Sequence, residues 1–252
     1  MNVDAETRPE VYGPRALGPR RRSRQDANGS GPLRSHIITD RALIATVEKA
    51  NGPAKRVFDV LASAAGLILL APVFLTVALL IKLTDGGTVF FGHKRVGRQG
   101  RPFKCWKFRT MVANANEVLV QHLAANPEAE TEWLETQKLT HDPRITGIGK
   151  FLRKTSLDEF PQLWNVLRGE MSLIGPRPIV RSELDRYGKD RRYYLLVRPG
   201  ISGLWQVSGR SNTTYERRIE LDRMYLENWS YAQDVKILLK TPLAVLKSDG
   251  AR

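Results

Sequence analysis

Residues 57–83 read VFDVLASAAGLILLAPVFLTVALLIKL, and this apolar run organises the rest of the chain. Its only charged residues are Asp59 near one end and Lys82 near the other. A straight helix of this length would extend about 40 Å, which is more than the roughly 30 Å of a bilayer's hydrocarbon core. A stretch this long and this evenly apolar favours a membrane helix over a helix buried in a protein core.

Two features argue against a simple membrane span. Pro72 lies near the middle of the run, where it removes a backbone hydrogen bond and kinks the helix. Basic residues flank both ends, and positive charge marks the cytosolic side of a membrane. We therefore interpret residues 55–84 as a re-entrant helix that breaks at Pro72 and enters and leaves one leaflet, with a spanning helix as the alternative. The flanking cations are Lys55 and Arg56 on one side and Lys94, Arg95, Arg98, Arg101, Lys104 and Lys107 on the other.

The remaining composition bounds the class of protein. Residues 1–50 are rich in Arg, Gly and Pro and predict a disordered basic tail without a signal peptide, followed by one domain over residues 51–252. The net charge of +14 indicates an anionic partner, which can be nucleic acid, an acidic membrane or a phosphorylated substrate. The single cysteine, Cys105, excludes an internal disulfide and fits a reducing compartment; we interpret it as structural.

After the apolar run, residues 85–252 predict a catalytic part that is mostly helical. Residues 88–91 and 101–111 are strand-like on either side of a turn at residues 97–100. Helical patterns fit residues 113–139 with a break at Asn126-Pro127, and residues 156–167, 182–196, 214–228 and 231–246. The last pattern is amphipathic, typical of a core helix or of one lying on a lipid surface. The predicted fold class is α/β and mostly helical, with a small β element and amphipathic surface helices.

Chemistry is best sought among acids and basic residues, because P-loop, dinucleotide, zinc and CxxC patterns are absent from the sequence. The densest segment is KTSLDEFPQ, residues 154–162. Ser156 and Glu159 have the spacing of a capping box, and that purely structural interpretation accounts for the segment on its own. A carboxylate at a helix N-terminus is also held ionised, so Asp158 could act as a nucleophile while Glu159 holds Mg²⁺.

Anionic substrates would also require cations. Arg177 stands out because it lies between two prolines, where a rigid backbone lowers the entropy lost on clamping a phosphate. Each of the other candidates, taken alone, fits a surface charge better than a ligand. The candidate substrate-binding residues are Lys107, Arg109, Arg144, Arg153 and Arg177.

These motifs, taken in order, resemble the bacterial monotopic phosphoglycosyl transferases that make polyprenyl-diphosphate sugars. The resemblance covers about residues 54–252 and rests on KRVFDV, KFRTM, DPRIT, LRKTSLDEFPQLWNVLRGEMSLIGPRP and RPGISGLWQVSGR. The chain is most similar to the small exopolysaccharide-initiating galactose-phosphate transferases. It departs from the family at the helix break, where Ala71-Pro72 replaces a Ser-Pro pair.

The resemblance implies a function and assigns roles. Asp158 would attack a UDP-sugar, release UMP and carry galactose- or glucose-1-phosphate to undecaprenyl phosphate, and Glu159 would bind Mg²⁺. Arg153 would meet the polyprenyl phosphate and Arg177 the nucleotide, while Lys107 and Arg109 form the basic strand of the site. The protein would lie in the bacterial inner membrane, with its catalytic part on the cytosolic face and in contact with lipid.

Two rival functions are weighed against this one. A non-catalytic membrane-anchored basic binding protein would explain the charge and the apolar run but leaves Asp158 and Glu159 without a role. A glycosyltransferase that moves no phosphate is disfavoured because the sequence has no Asp-x-Asp motif. We expect no nucleic-acid partner. The sequence leaves open which sugar is transferred, whether the chain forms a homo-oligomer, and what residues 113–139 do.

Overall fold

The computed structural model describes residues 41–209 and 213–246, and most of these residues are helical. Their regular elements are α-helices with four short strands, so the predicted mostly helical fold with a small β element is confirmed. The helices are α1 Arg41–Ala50, α2 Pro53–Leu69, α3 Ala71–Asp85, α4 Ala115–Ala125, α5 Pro127–Thr136, α6 Gly147–Thr155, α7 Gln162–Arg168, α8 Arg181–Arg186, α9 Arg191–Leu196, α10 Leu204–Val207, α11 Tyr215–Glu227 and α12 Tyr231–Leu246. The strands are β1 Phe90–Val96, β2 Pro102–Phe108, β3 Ser172–Ile174 and β4 Gly200–Ser202.

The ordered fold begins earlier than the sequence suggested. Helix α1 occupies residues 41–50, which the sequence analysis assigned to a disordered tail, and that part of the prediction is wrong. Leu43 of α1 is buried against Tyr193, Val197 and Leu226, so long-range packing stabilises this helix. The rest of the predicted tail, residues 1–40, lies outside the described residues.

The apolar run forms two helices. Helices α2 and α3 meet at Leu70, and the helical segments Arg41–Leu69 and Ala71–Asp85 are bent by 60°. Pro72 lies in the first turn of α3, where its missing N–H loses no intrahelical hydrogen bond. The predicted break is therefore present, but Pro72 begins a second helix. Among the described helices none is long and apolar enough to span a membrane alone; this bent pair passes the same test together.

Large apolar side chains cover the outer faces of α2, α3 and α12. Leu69 is 79% exposed and Leu246 is 81% exposed. Helix α12 also buries Ile237 in the main core, as a core helix does, while its outer face stays exposed and apolar. Other exposed members are Leu61, Ile68, Leu75, Leu83, Leu239 and Leu243.

A buried ion cluster attaches the N-terminal end of α2 to other elements of the fold. The Lys55 ammonium lies 2.9 Å from Asp59 on the same helix and 2.9 Å from Asp234 on α12. Asp59 accepts a hydrogen bond from the backbone N–H of Leu173 in β3, and Asp234 accepts one from the hydroxyl of Tyr225. The apolar helix pair is thus attached to the catalytic part by charge as well as by packing.

Two small sheets support the site. β1 and β2 pair antiparallel around the predicted turn at residues 97–100, with Phe91 opposite Lys107, and β1 continues to Val96, beyond the strand predicted at residues 88–91. β3 and β4 pair in parallel. Cys105 in β2 is buried, and burial raises the pKa of its thiol to about 11, so it behaves as an inert core residue.

Candidate active site

Asp158 and Glu159 lie in a 3₁₀ turn, Leu157–Glu159, between α6 and α7. Ser156 ends α6 in the left-handed conformation, with φ of 55°. Its side chain makes no capping hydrogen bond. The predicted capping box is therefore wrong. Glu159 binds Lys107 from a different part of the chain.

Lys107 bridges the two carboxylates. Its ammonium lies 2.7 Å from a carboxylate oxygen of Glu159 and 3.4 Å from one of Asp158. The strand that carries it is held to α7 by Asn165, whose side chain accepts from the N–H of Trp106 and donates to the carbonyl of Lys104. The cation and the carboxylates are therefore held at a fixed separation by one buried amide.

The electrostatics of Asp158 differ from the prediction of an ionised helix cap. Only 8% of its surface is exposed, and this burial raises the pKa of its carboxyl above the usual value. The charges of Lys107 and Arg153 oppose the effect, whereas the neighbouring Glu159 adds to it. For Lys107 itself burial lowers the pKa, but the two carboxylates outweigh it and the net pKa is raised.

Arg177 reaches the same site from a rigid segment. Its guanidinium lies 3.8 Å from the Glu159 carboxylate and faces the ring of Trp205 at 5.8 Å. The segment before it packs directly against another backbone, since a Cβ on Gly203 would lie 2.1 Å from the carbonyl oxygen of Gly175. Only glycine fits there, so the close approach fixes the position of Arg177.

Arg153 is near enough to Asp158 for each charge to affect the pKa of the other. Its Nε donates to the hydroxyl of Thr110 at 3.0 Å. Its pKa is lowered by burial, and the charges of Asp158 and Asp142 act in the opposite direction. The helix that carries it, α6, presses against Thr110, because a Cβ on Gly149 would meet the Thr110 carbonyl oxygen at 2.0 Å.

Two predicted substrate-binding arginines are paired elsewhere. The guanidinium of Arg109 binds the carboxylate of Asp85 at the end of α3 and donates to the carbonyl of Thr88. Arg144 is buried, pairs with Asp142 at 2.6 Å and lies over the ring of Trp133 at 4.9 Å. The structure thus brings Lys107, Arg153 and Arg177 to the carboxylates and gives Arg109 and Arg144 structural partners.

Comparison with known proteins identifies the family. A family model described as bacterial sugar transferase matches residues 50–248 of the chain. The chain belongs to the bacterial sugar transferase family. This membership confirms the resemblance found from the sequence motifs.

Similar members of this family cover the chain to different extents. The chain is 50% identical over 205 residues to the exopolysaccharide production protein ExoY of Rhizobium meliloti, covering 81% of this chain and 91% of ExoY. It is 53% identical over 197 residues to a UDP-galactose-lipid carrier transferase of Erwinia amylovora and 53% identical over 198 to an undecaprenyl-phosphate galactose phosphotransferase of Salmonella typhimurium. Both matches cover 78% of this chain but only 41% of those relatives, so the chain spans about two fifths of their length.

The two adjacent carboxylates of this family member fit Mg²⁺. Within residues 41–209 and 213–246, no group of three or more His, Cys, Asp or Glu side chains could enclose a metal. Mg²⁺ needs only one or two protein carboxylates when substrate phosphates and water supply the other ligands. Glu159, with the more accessible side chain of the pair, fits this role with a phosphorylated substrate bound.

The sequence analysis missed several positioning residues of this sugar transferase fold. The ring of Trp205 orients Arg177, and the hydroxyl of Thr110 orients Arg153. The side chain of Asn165 positions the strand that carries Lys107. All three lie inside the quoted motifs, Thr110 within KFRTM, so their neighbours were the only signal available. Thr110 directly follows Arg109, and nothing local distinguishes it from an exposed strand residue.

Proposed function

We propose that the chain transfers a sugar-1-phosphate from a UDP-sugar to undecaprenyl phosphate and releases UMP, with Asp158 as the nucleophile. The observation that carries the proposal is the buried Asp158 carboxylate, which lies 3.4 Å from the Lys107 ammonium and near enough to Arg153 for that charge to lower its pKa, beside an accessible Glu159. Relatives that match at 53% identity are named as galactose-lipid carrier and undecaprenyl-phosphate galactose transferases. Those names support undecaprenyl phosphate as the acceptor. They favour galactose over glucose as the transferred sugar, since the relatives named for glucose are only 40% and 38% identical to the chain.

The reaction proceeds in two displacements. A carboxylate oxygen of Asp158 attacks the β-phosphorus of the UDP-sugar, and the bond from that phosphorus to the oxygen bridging it to UMP breaks. UMP leaves, and the sugar-phosphate stays on Asp158 as an acyl phosphate. A phosphate oxygen of undecaprenyl phosphate then attacks the same phosphorus and Asp158 departs as a carboxylate. The product is undecaprenyl-diphosphate sugar, and ping-pong kinetics follow.

Each charged neighbour has a separate task in this scheme. Lys107 favours the ionised, reactive form of Asp158 and offsets charge on the transferred phosphoryl group. Arg177 holds the nucleotide, and Arg153 receives the lipid phosphate. Glu159 would hold Mg²⁺, which supplies electrostatic stabilisation of the phosphates when bound.

We further propose that the chain works at the cytosolic face of the bacterial inner membrane. The bent pair α2–α3 and the exposed apolar face of α12 support contact with one leaflet. A re-entrant helix pair would place Asp158 at headgroup depth, where a lipid-bound acceptor and a soluble donor can both reach it. Labelling of both chain termini tests the topology, and termini on opposite sides would contradict the re-entrant arrangement.

The central test is Asp158→Asn assayed by UMP release in membranes with Mg²⁺ and UDP-galactose. We expect turnover to fall by at least about 10³-fold, because the amide cannot form the acyl phosphate. The matched control is Asp185→Asn, which removes an exposed carboxylate on α8 and should leave the rate unchanged. Incubation of wild type with UDP-galactose labelled in the sugar should leave label on the polypeptide. Undiminished turnover of Asp158→Asn would eliminate the proposed nucleophile.

A further inference from the structure

A second strongly basic site lies at the turn of the β1–β2 hairpin. A cavity of about 280 Å³ is lined there by four arginines and one glutamate. The arginines come from three separate parts of the chain: the hairpin turn, the end of α7 and the segment after α9. They are Arg98, Arg101, Arg168 and Arg198, and the acid is Glu170.

Part of this charge has a structural explanation. The Nε of Arg198 donates to the carbonyl of Gly169 at 2.9 Å, and Arg56 donates to the carbonyls of Val166 and Leu167. These contacts satisfy carbonyls at the C-terminal end of α7, where cations are favourable. These carbonyl contacts account for the positions of Arg56 and of one nitrogen of Arg198. They do not involve Arg98, Arg101 or Arg168.

The cations around the cavity repel one another. Burial lowers the pKa of Arg198, and the nearby charges of Arg98 and Arg56 lower it further. The lining acid offsets only part of this charge, because Glu170 pairs with Arg168 alone among the four arginines, at 3.4 Å, and also accepts from the amide of Asn165 at 2.6 Å. Arg98 is held in place by a 2.8 Å hydrogen bond to the side chain of Asn51. A bound anion would relieve the repulsion.

We propose that this cavity binds a phosphate group, at a site separate from the carboxylate pair. Several guanidinium groups converge on a concave space, and their planar donors match phosphate oxygens. Pro102 at the cavity and Lys107 at the carboxylates lie five residues apart on β2, which is about 17 Å along a strand. One phosphate cannot occupy both places.

The phosphate can belong to a membrane lipid or be free in solution. Arg98 binds Asn51, which lies two residues before α2 begins. The cavity is therefore close to the N-terminal end of α2, and the proposed membrane orientation would bring lipid headgroups close to it. This argument for a lipid source rests on the proposed function, whereas the phosphate site itself does not.

The test uses the full chain in zwitterionic detergent and compares wild type with the double variant Arg98→Gln/Arg198→Gln. One arm titrates inorganic phosphate by calorimetry. The other adds short-chain phosphatidylglycerol or phosphatidylcholine to the micelles and follows the thermal unfolding midpoint. Arg181→Gln on α8 is the matched control, since it removes an exposed arginine elsewhere. Phosphate bound at the carboxylate pair contributes equally to all three proteins.

We expect each lost arginine to weaken phosphate binding about tenfold, while Arg181→Gln binds as wild type does. Loss of both the phosphate and the phosphatidylglycerol effects in the double variant indicates a general phosphate site. Loss of the inorganic phosphate effect alone identifies a soluble source, and loss of the phosphatidylglycerol effect alone identifies a lipid source. If the double variant does not fold, the exposed Arg101→Gln replaces it, with the same tenfold expectation. Equal binding by variant and wild type would overturn the proposal, whatever Asp158 proves to do.

Discussion

Removal of the Lys55 charge should destabilise the whole chain. Lys55, Asp59 and Asp234 are 4%, 2% and 3% exposed, and the ammonium lies 2.9 Å from each carboxylate. Lys55→Met keeps the length of the side chain and leaves two carboxylates buried without their cation. The perturbation therefore isolates charge from packing.

The expected loss of stability in Lys55→Met follows from the burial of the two carboxylates. Breaking a buried ion pair by removal of one partner costs about 3–5 kcal/mol, because the remaining charge stays desolvated. Hydrogen bonds from Tyr225 and the backbone of Leu173 still reach the carboxylates and keep the cost within that range. For a chain of this size, 1 kcal/mol shifts the unfolding midpoint by about 2–4 °C, so we expect a fall of about 10 °C.

The assay is thermal unfolding in detergent followed by circular dichroism. Lys49→Met on α1 is the control, since this exposed lysine lies only six residues earlier and should shift the midpoint by less than about 2 °C. Addition of Asp234→Asn to Lys55→Met should recover part of the loss by removing one unpaired charge. A Lys55→Met midpoint within about 2 °C of wild type would refute the argument that charge attaches α2 to the fold.

Three further perturbations test the site and its support. Lys107→Met should reduce single-turnover UMP release about 10²-fold, since the cation between the carboxylates is lost; a normal rate would contradict its role. Gly203→Ala should lower the unfolding midpoint by several degrees because its Cβ would meet the Gly175 carbonyl, whereas Gly147→Ala, with open space around it, should not. Burial raises the pKa of Asp222 to about 6 from 3.8, so the folded state retains a proton that the unfolded state releases. Chemical denaturation should therefore show wild type losing stability relative to Asp222→Asn as the pH rises from about 4 to 6, by about 3 kcal/mol; a constant difference would contradict it.

Elements set by local chemistry could be predicted from the sequence. The hairpin turn at residues 97–100 and the break at Asn126-Pro127 are where glycine and proline place them. The N-cap of α11 is Thr214, the first residue of the predicted helix. Each of these depends on backbone preferences within a few residues, and tertiary contacts do not override them.

Elements that depend on distant contacts could not be predicted. Helix α6 begins with Gly147 and Gly149, which argue locally against a helix, yet Gly149 is required by the approach of Thr110. Ser156 has the spacing of a capping residue, but α6 needs it to end in the left-handed conformation. For Gly149 packing against a segment about 40 residues earlier in the chain decides the conformation, whereas for Ser156 the end of α6 does.

Distant contacts also decide which of the predicted basic residues reach the carboxylates, so the sequence could not separate them. Arg109 and Lys107 are two residues apart in one motif, yet Arg109 pairs with Asp85 at the end of α3 whereas Lys107 pairs with the Asp158–Glu159 carboxylates. Lys107 reaches the carboxylates because Asn165 joins its strand to the helix that follows them. A buried amide that connects these two elements therefore holds Lys107 next to the carboxylate pair. Of the four charged side chains of Asp158, Glu159, Lys107 and Arg177, that of Asp158 is the least exposed, at 11%, and that of Arg177 the most exposed, at 37%, so we expect an arriving substrate to meet Arg177 first.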